Sequence, residues 1–147
     1  MSLLVCLFVR DNHRDNQRNA GYIYRRVWNM KNTYVITGAG KGSGRVFAKT
    51  VANLGANIAL VSRTELDLIH LKEELLQMNN RIKISIHAVD LTDPNRTKEA
   101  FNEIKATHGS SIKALVCFAG SWIKSKPISE LEASDFLEGL QSNFFST

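Results

Sequence analysis

Hydrophobic residues after position 30 form short apolar runs that alternate with stripes of helical spacing. Four runs are rich in β-branched and other apolar residues, which is typical of strands buried in a parallel sheet. We predict strands at residues 33–37, 57–61, 83–89 and 112–118. Between these runs, apolar residues recur every three or four positions, which indicates helices packed on the sheet.

The first two predicted helices cover residues 45–54 and 64–78. Thr64 is a suitable N-cap residue for the second helix. The apolar side of the first helix is predicted to comprise Val46, Phe47, Thr50, Val51 and Leu54. The apolar side of the second is predicted to comprise Leu68, Leu71, Leu75 and Met78.

Capping signals mark the start of two further helices. Asp93 can accept hydrogen bonds from the free amide groups of a first turn, and Pro94 suits the first helical position because it has no N–H. Ser129 and Glu132 have the spacing of a capping box. The apolar sides of these helices are predicted to comprise Ala100, Phe101 and Ile104 in one, and Leu137, Leu140 and Phe144 in the other.

The alternation of strand and helix predicts an α/β fold. Four strands with intervening helices within residues 30–147 match the length that βαβ units require. We therefore expect a Rossmann-like, doubly wound parallel sheet that is incomplete, with about four strands. Residues 30–147 are predicted to form a single partial domain.

Residues 1–29 differ from the rest in composition. They carry five arginines against two aspartates, a charge of +3, whereas the remaining residues contribute +2 to the total of +5. We interpret this segment as a disordered N-terminal extension or as the product of a start codon assigned too early. An arginine-rich mitochondrial transit peptide is the alternative interpretation.

Composition excludes several classes of protein. The longest apolar run, residues 3–9, is far shorter than the roughly 20 residues of a membrane span. A stripe of basic residues with interleaved aromatic residues would indicate a nucleic-acid partner, and the sequence has none. Cys6 and Cys117 cannot form a disulfide framework, and no cysteines and histidines have the spacing of metal ligands, so we expect no metal and a reducing, cytoplasmic location.

A glycine cluster lies between the first predicted strand and the first predicted helix. Residues 37–44 read TGAGKGSG. Glycines at this place let the backbone approach a pyrophosphate, whose charge is favoured by the helix N-terminus. Because Lys41 is followed by Gly42 and not by Ser or Thr, a Walker phosphate loop is excluded. The cluster predicts a dinucleotide-binding loop.

This string resembles the Thr-Gly-x-x-x-Gly-x-Gly loop of the short-chain dehydrogenase/reductase family, and the resemblance extends over residues 30–147. Asp90-Leu91 is similar to the family's aspartate that contacts adenine. Ala119-Gly120 matches the second half of its Asn-Asn-Ala-Gly motif, and Asn143 matches the helix asparagine that supports the active site. The resemblance implies an oxidoreductase that transfers hydride between a nicotinamide dinucleotide and a carbonyl or alcohol.

The end of the second predicted strand indicates which dinucleotide is bound. An acid there takes the ribose 2′-hydroxyl of NAD, but this chain has Ser62-Arg63-Thr64 with no acid before Glu65. Arg63 can bind a 2′-phosphate, and Lys41 adds a second cation. This combination resembles NADPH-dependent carbonyl and xylulose reductases, so we expect NADP(H) to be preferred over NAD(H).

The predicted cofactor-binding residues therefore come from four loops. They are Gly38, Gly40, Lys41, Gly42, Ser43 and Gly44, then Ser62, Arg63 and Thr64, then Asp90 and Leu91, and finally Ala119 and Gly120.

The chain departs from the family pattern at two places. Cys117-Phe118 stands where the family has Asn-Asn. We expect Cys117 to be a small core residue, and Phe118 to put a bulky ring near the nicotinamide ribose. The family's catalytic Ser and Tyr-x-x-x-Lys are also missing, because all three tyrosines precede the glycine loop and none has a lysine four residues later. Asn143 is thus the one catalytic-site residue that the resemblance supplies, in a supporting role.

These features favour one function over two alternatives. The chain reads as the NADP(H)-binding portion of a short-chain reductase, truncated or encoded as a fragment and inactive alone. The alternatives are a non-catalytic module that binds dinucleotide or a partner, and a non-functional gene fragment.

The same features predict association. We expect self-association or pairing with a full-length related subunit, because residues 112–118 would form a sheet edge and Leu140, Phe144 and Phe145 would lack partners.

His13, His70, His87 and His108 show no carboxylate partner at ligand spacing.

Overall fold

Four parallel strands and one antiparallel strand form the sheet in the computed structural model, which describes residues 6–9, 32–120 and 127–143. The strands are β1 (Cys6–Val9), β2 (Thr33–Thr37), β3 (Asn57–Ser62), β4 (Ile84–Ala88) and β5 (Ile112–Cys117). The helices are α1 (Gly42–Asn53), α2 (Glu65–Met78), α3 (Pro94–His108) and α4 (Ala133–Asn143).

The strand order is β1-β5-β2-β3-β4, and β5, β2, β3 and β4 are mutually parallel. One apolar cluster packs α1 and α2 on one face of the sheet, and a second packs α3 on the other. Helices on both faces of a parallel sheet confirm the predicted Rossmann-like α/β fold.

The outer side of β5 is paired with β1. The two strands run antiparallel, with Cys6 opposite Cys117 and Val9 opposite Ala114. The prediction that residues 112–118 form an exposed edge is therefore wrong, because the apolar run near the N-terminus supplies the missing backbone partners. The strand lies within the predicted extension 1–29, whose other residues fall outside the described part of the chain.

Helix α1 begins at Gly42, three residues before the predicted start. Its buried side consists of Gly44, Ala48, Val51 and Ala52, while Val46 and Leu54 are exposed. The predicted apolar side is right at Val51 and at Phe47, which packs against the core, and wrong at Val46, Thr50 and Leu54, which are exposed. The small residues of the buried side let this helix lie close to the glycine loop. A Cβ at Gly44 would clash with the carbonyl oxygen of Gly38.

The middle helices follow the sequence prediction except at Met78, the last residue of α2, which was predicted on the apolar side and is 47% exposed. Leu68, Leu71 and Leu75 of α2 are fully buried, although Thr64 occupies the N-cap position without a side-chain hydrogen bond. Asp93 caps α3 as predicted, since its carboxylate accepts hydrogen bonds from the amides of Asn95 and Arg96 at 2.9 and 3.1 Å.

Helix α4 begins later than its predicted capping box. Ser129 lies in a short 3₁₀ turn, Ile128–Glu130, and the helix begins at Ala133. The backbone N–H of Glu132 donates to Oδ2 of Asp135 at 2.9 Å, so the predicted pairing of Ser129 with Glu132 is wrong. Phe144 and Phe145 lie outside the described residues.

None of the helices described here has the length and apolar character required to cross a bilayer.

Candidate functional site

The carboxyl ends of the parallel strands open into a cavity of about 490 Å³. It lies at the ends of β2 and β5, where the strand order reverses, which is the place where open α/β sheets bind ligands. All of the residues predicted to bind cofactor line this cavity. The structure adds three residues that the sequence prediction missed, Asp67, Val89 and Thr92, and it also places Phe118 in the wall of the cavity.

The glycine loop forms one wall. Gly42 has a φ of +56°, and a Cβ built there would meet nothing within 4 Å, so the backbone is open at this point. Lys41 is the N-cap residue of α1, yet its side chain makes no capping hydrogen bond, and the first turn has no acidic residue. The positive end of the helix dipole is thus available to an anion in the cavity. This geometry fits the pyrophosphate of a dinucleotide.

The loop also packs tightly against the end of β5. A Cβ at Gly38 would lie 2.6 Å from the backbone of Phe118 and Ala119. The amide of Phe118 donates to the carbonyl oxygen of Thr37 at 3.1 Å, and the amide of Ala119 donates to Oγ1 of Thr37 at 3.4 Å. These contacts place Ala119-Gly120 beside the glycine loop.

Asp90 lies in the connection that follows β4, and hydrogen bonds fix the orientation of its carboxylate. Its Oδ1 accepts hydrogen bonds from the amide and the hydroxyl of Thr92, at 3.0 and 2.8 Å. These hydrogen bonds and the nearby positive charge of Arg63 lower the pKa of Asp90, so the group stays ionised. The carboxylate is exposed to the cavity and is available to accept hydrogen bonds from a ligand.

Positive charge gathers at the end of β3. Arg63 is exposed there, and no acid precedes Glu65. Lys41 also lines the cavity, and its Nζ is 3.2 Å from Oδ2 of Asp67. Asp67 lies in the first turn of α2, so its contact with Lys41 joins two segments that meet only in the folded chain.

Phe118 stands where the resemblance implies an asparagine. Its ring packs on Phe47 of α1 and joins the larger apolar cluster while it also lines the cavity. Cys117 is buried in the core, as predicted for a small core residue.

One predicted site residue lies away from the cavity. Asn143 is at the end of α4, where its Nδ2 donates to the carbonyl oxygen of Gly139 at 3.0 Å, and it does not line the cavity. Its supporting role remains a prediction.

Lys49 and Arg45 bind Glu74 of α2, and Arg45 also donates to the carbonyl oxygen of Gly40 at 3.4 Å, which ties the loop to both helices.

A chain of buried polar side chains crosses the sheet beneath α3. The ring of His108 lies between Thr33 and Ser85, at 3.1 and 2.9 Å, and Ser85 also contacts Nε2 of His87 at 2.9 Å. His87 Nδ1 lies 3.3 Å from Oε2 of Glu103, so the expectation that His87 has no carboxylate partner is wrong. The fold brings the two together from a strand and a helix.

Burial lowers the pKa of His108, and the positive charges of Lys83 and His87 lower it further. Within the described ranges, no three His, Cys, Asp or Glu side chains are arranged to hold a metal ion.

The fold and the position of this cavity are typical of Rossmann-like domains, which bind ligands at the carboxyl ends of their strands. The family model for short chain dehydrogenases matches residues 32–147, and the chain belongs to this family. It is 43% identical over 70 residues to the very-long-chain 3-oxoacyl-CoA reductase of Candida glabrata, covering 48% of this chain and 19% of that protein.

Solved structures give the same result. A short-chain type dehydrogenase/reductase from Mycobacterium ulcerans superposes with a TM-score of 0.71 at 26% identity, over 78% of this chain and 42% of that one. The fold is shared with L-sorbose reductase from Gluconobacter frateurii complexed with NADPH and L-sorbose (TM-score 0.66, 22% identity, 78% and 43% covered). It is also shared with an NAD⁺-bound xylitol dehydrogenase (TM-score 0.69, 19% identity, 79% and 44% covered). The chain thus spans less than half the length of these proteins.

Proposed function

We propose that this chain is the NADP(H)-binding portion of a short-chain reductase that reduces a carbonyl compound. The observation that carries the proposal is Arg63, an exposed guanidinium at the cavity end of β3 with no acid before Glu65. A carboxylate at this place would repel a 2′-phosphate, whereas an arginine binds it through charge-assisted hydrogen bonds.

The cavity residues divide the dinucleotide among them. The open backbone at Gly42 and the N-terminus of α1 hold the pyrophosphate, and Arg63 with Lys41 holds the 2′-phosphate. Asp90-Leu91 faces the adenine, and Ala119-Gly120 faces the nicotinamide ribose. When bound, NADPH supplies a hydride for the carbonyl carbon.

Calorimetric titration of NADPH and NADH into the 147-residue protein tests the proposal. We expect NADPH to bind more tightly, and Arg63→Ala to weaken NADPH by about 1.5–3 kcal/mol while NADH changes little. Arg81→Ala is the matched control, because Arg81 is exposed and does not line the cavity. Equal losses for both cofactors, or no binding of either, would overturn the proposal.

The proposal includes binding without turnover by this chain. None of the three tyrosines in the 147 residues has a lysine four positions later, so the family's Tyr-x-x-x-Lys has no counterpart in this sequence. General acid catalysis contributes about 10²–10⁴-fold in rate. NADPH oxidation that depends on a ketone or aldehyde and persists through purification would contradict this part of the proposal.

We further propose that α4 pairs with a second copy of this chain or with a related subunit. Phe136, Leu137 and Leu140 are 59%, 64% and 49% exposed on this helix. Clustered large apolar side chains on a surface are typical of protein interfaces. This surface also supports the alternative function of a partner-binding module.

A cytoplasmic location remains part of the proposal, since two cysteines offer no disulfide framework.

A further inference from the structure

A carboxylate lies in the part of the cavity where the 2′-phosphate is proposed to bind. Asp67 belongs to the first turn of α2, and its Oδ2 is 3.2 Å from Nζ of Lys41. The lysine side chain is 80% exposed, whereas the aspartate side chain is only 26% exposed. Both residues line the cavity together with Arg63. The aspartate is therefore fixed in the wall, and the lysine extends over it from the loop.

Gly40 makes this approach sterically feasible. A Cβ at position 40 would lie 3.1 Å from Cβ of Asp67 and 2.9 Å from Oγ of Ser62. Because glycine has no Cβ, the loop can lie against the first turn of α2. The close packing brings the Asp67 carboxylate within reach of the neighbouring Lys41 ammonium group.

The ion pair has opposite consequences for the two dinucleotides. A carboxylate near a 2′-phosphate repels it, and a lysine bound to that carboxylate has less of its charge to offer the phosphate. A ribose 2′-hydroxyl carries no charge and feels neither effect. The pair thus acts on one feature, the phosphate that distinguishes NADPH from NADH.

We propose that Asp67 is a specificity-determining residue that restrains Lys41 and limits the preference of this site for NADPH. The inference rests on the proposed function, since it concerns the same cavity. Asp67 also lies in the first turn of a helix, where any acid is stabilised by the helix dipole. The experiment must therefore separate an effect on the phosphate from an effect on the helix.

The test measures NADPH and NADH affinities of the 147-residue protein by calorimetry for wild type, Asp67→Asn, Lys41→Ala and the double variant. We expect Asp67→Asn to tighten NADPH by about two- to fivefold, the range of an exposed ion pair, with NADH unchanged. The gain should shrink at high salt. Lys41→Ala should weaken NADPH less when Asp67 is present than when it is replaced, because the ion pair already reduces the charge that Lys41 offers to the phosphate.

Glu65→Gln is the matched control. Glu65 is an exposed acid in the same helical turn that does not line the cavity, so its removal should leave the NADPH-to-NADH ratio unchanged. Thermal unfolding of each variant reports any damage to the helix, and Asp67→Ser provides a second neutral variant.

The outcomes separate the two proposals. If Asp67→Asn changes both affinities equally, weakens NADPH, or behaves like Glu65→Gln, the inference is wrong while dinucleotide binding stands. If wild type binds neither dinucleotide, the proposed function fails and the inference fails with it. If Arg63→Ala is selective for NADPH but the Asp67 variants leave the ratio unchanged, the inference alone is overturned.

Discussion

The ring of Phe118 packs against the ring of Phe47, with centroids 5.4 Å apart and ring planes inclined by 48°. Phe118 directly follows β5, and Phe47 lies in the first half of α1. The pair therefore joins the carboxyl end of one strand to the helix that begins at the glycine loop. An apolar contact stands where the family resemblance implies an asparagine.

This pair should show energetic coupling. We expect Phe47→Leu, Phe118→Leu and the double variant to give a coupling energy of about 0.5–1.5 kcal/mol in urea unfolding, since a tilted aromatic pair stabilises beyond its buried area. Phe101 lies on the opposite face of the sheet, so Phe47→Leu combined with Phe101→Leu should be additive. A coupling near zero for Phe47 and Phe118 would show that the rings act independently.

Gly42 and Gly109 offer a comparison of two glycines with a positive φ. Their φ angles are +56° and +54°, and a Cβ at either would meet nothing within 4 Å. Replacement of either by alanine should destabilise the protein by roughly 1–3 kcal/mol, because a residue with a Cβ is strained at positive φ. Only Gly42→Ala should also weaken dinucleotide binding, because its methyl group would occupy the proposed pyrophosphate site. Equal dinucleotide affinity in the two variants would contradict that placement.

Stability should fall in mild acid because of His108. Its pKa is lowered by burial and by the positive charges of Lys83 and His87, so the unfolded chain binds a proton more readily than the folded one. The contribution of this group to stability is full above the unfolded pKa of about 6.5 and is lost as pH falls through the lower, folded value. His108→Gln should flatten the unfolding free energy over this interval, whereas His70→Gln, at an exposed position on α2, should not. Chemical denaturation at successive pH values gives the comparison.

Self-association should depend on the apolar surface of α4. Leu140→Glu places a charge on this surface and should shift sedimentation at micromolar concentration toward the monomer. Gln141→Glu adds the same charge at the neighbouring exposed position and should change sedimentation far less. A wild-type protein that sediments as a monomer with cooperative thermal unfolding would refute association through this helix.

The strands could be predicted from sequence because their signal is local. Residues 33–37 form a strand with the bounds predicted from a short β-branched run beside glycines. Helix α1 could not be placed as well, since Gly42, Ser43 and Gly44 are weak helix formers and read as loop. Their helical conformation depends on packing against the loop and the strand ends.

Contacts between distant segments were beyond sequence inspection. The pairing of Cys6–Val9 with β5 joins residues more than a hundred positions apart, and no local pattern specifies it. Asp67 and the His87–Glu103 contact were missed for the same reason, because each pair meets only after the chain has folded. The cavity-lining residues were predicted well because the ends of parallel strands necessarily meet at one edge.

Because β1 pairs with the outer side of β5, no other strand can pair there at the same time. The resemblance implies that a further parallel strand would lie beside β5, where it would need the backbone N–H and C=O groups that Cys6–Val9 now engages. Both strands cannot hold these groups at once, so adding a parallel neighbour requires strand exchange. While Cys6–Val9 is paired there, it protects the edge of β5 from pairing with another chain.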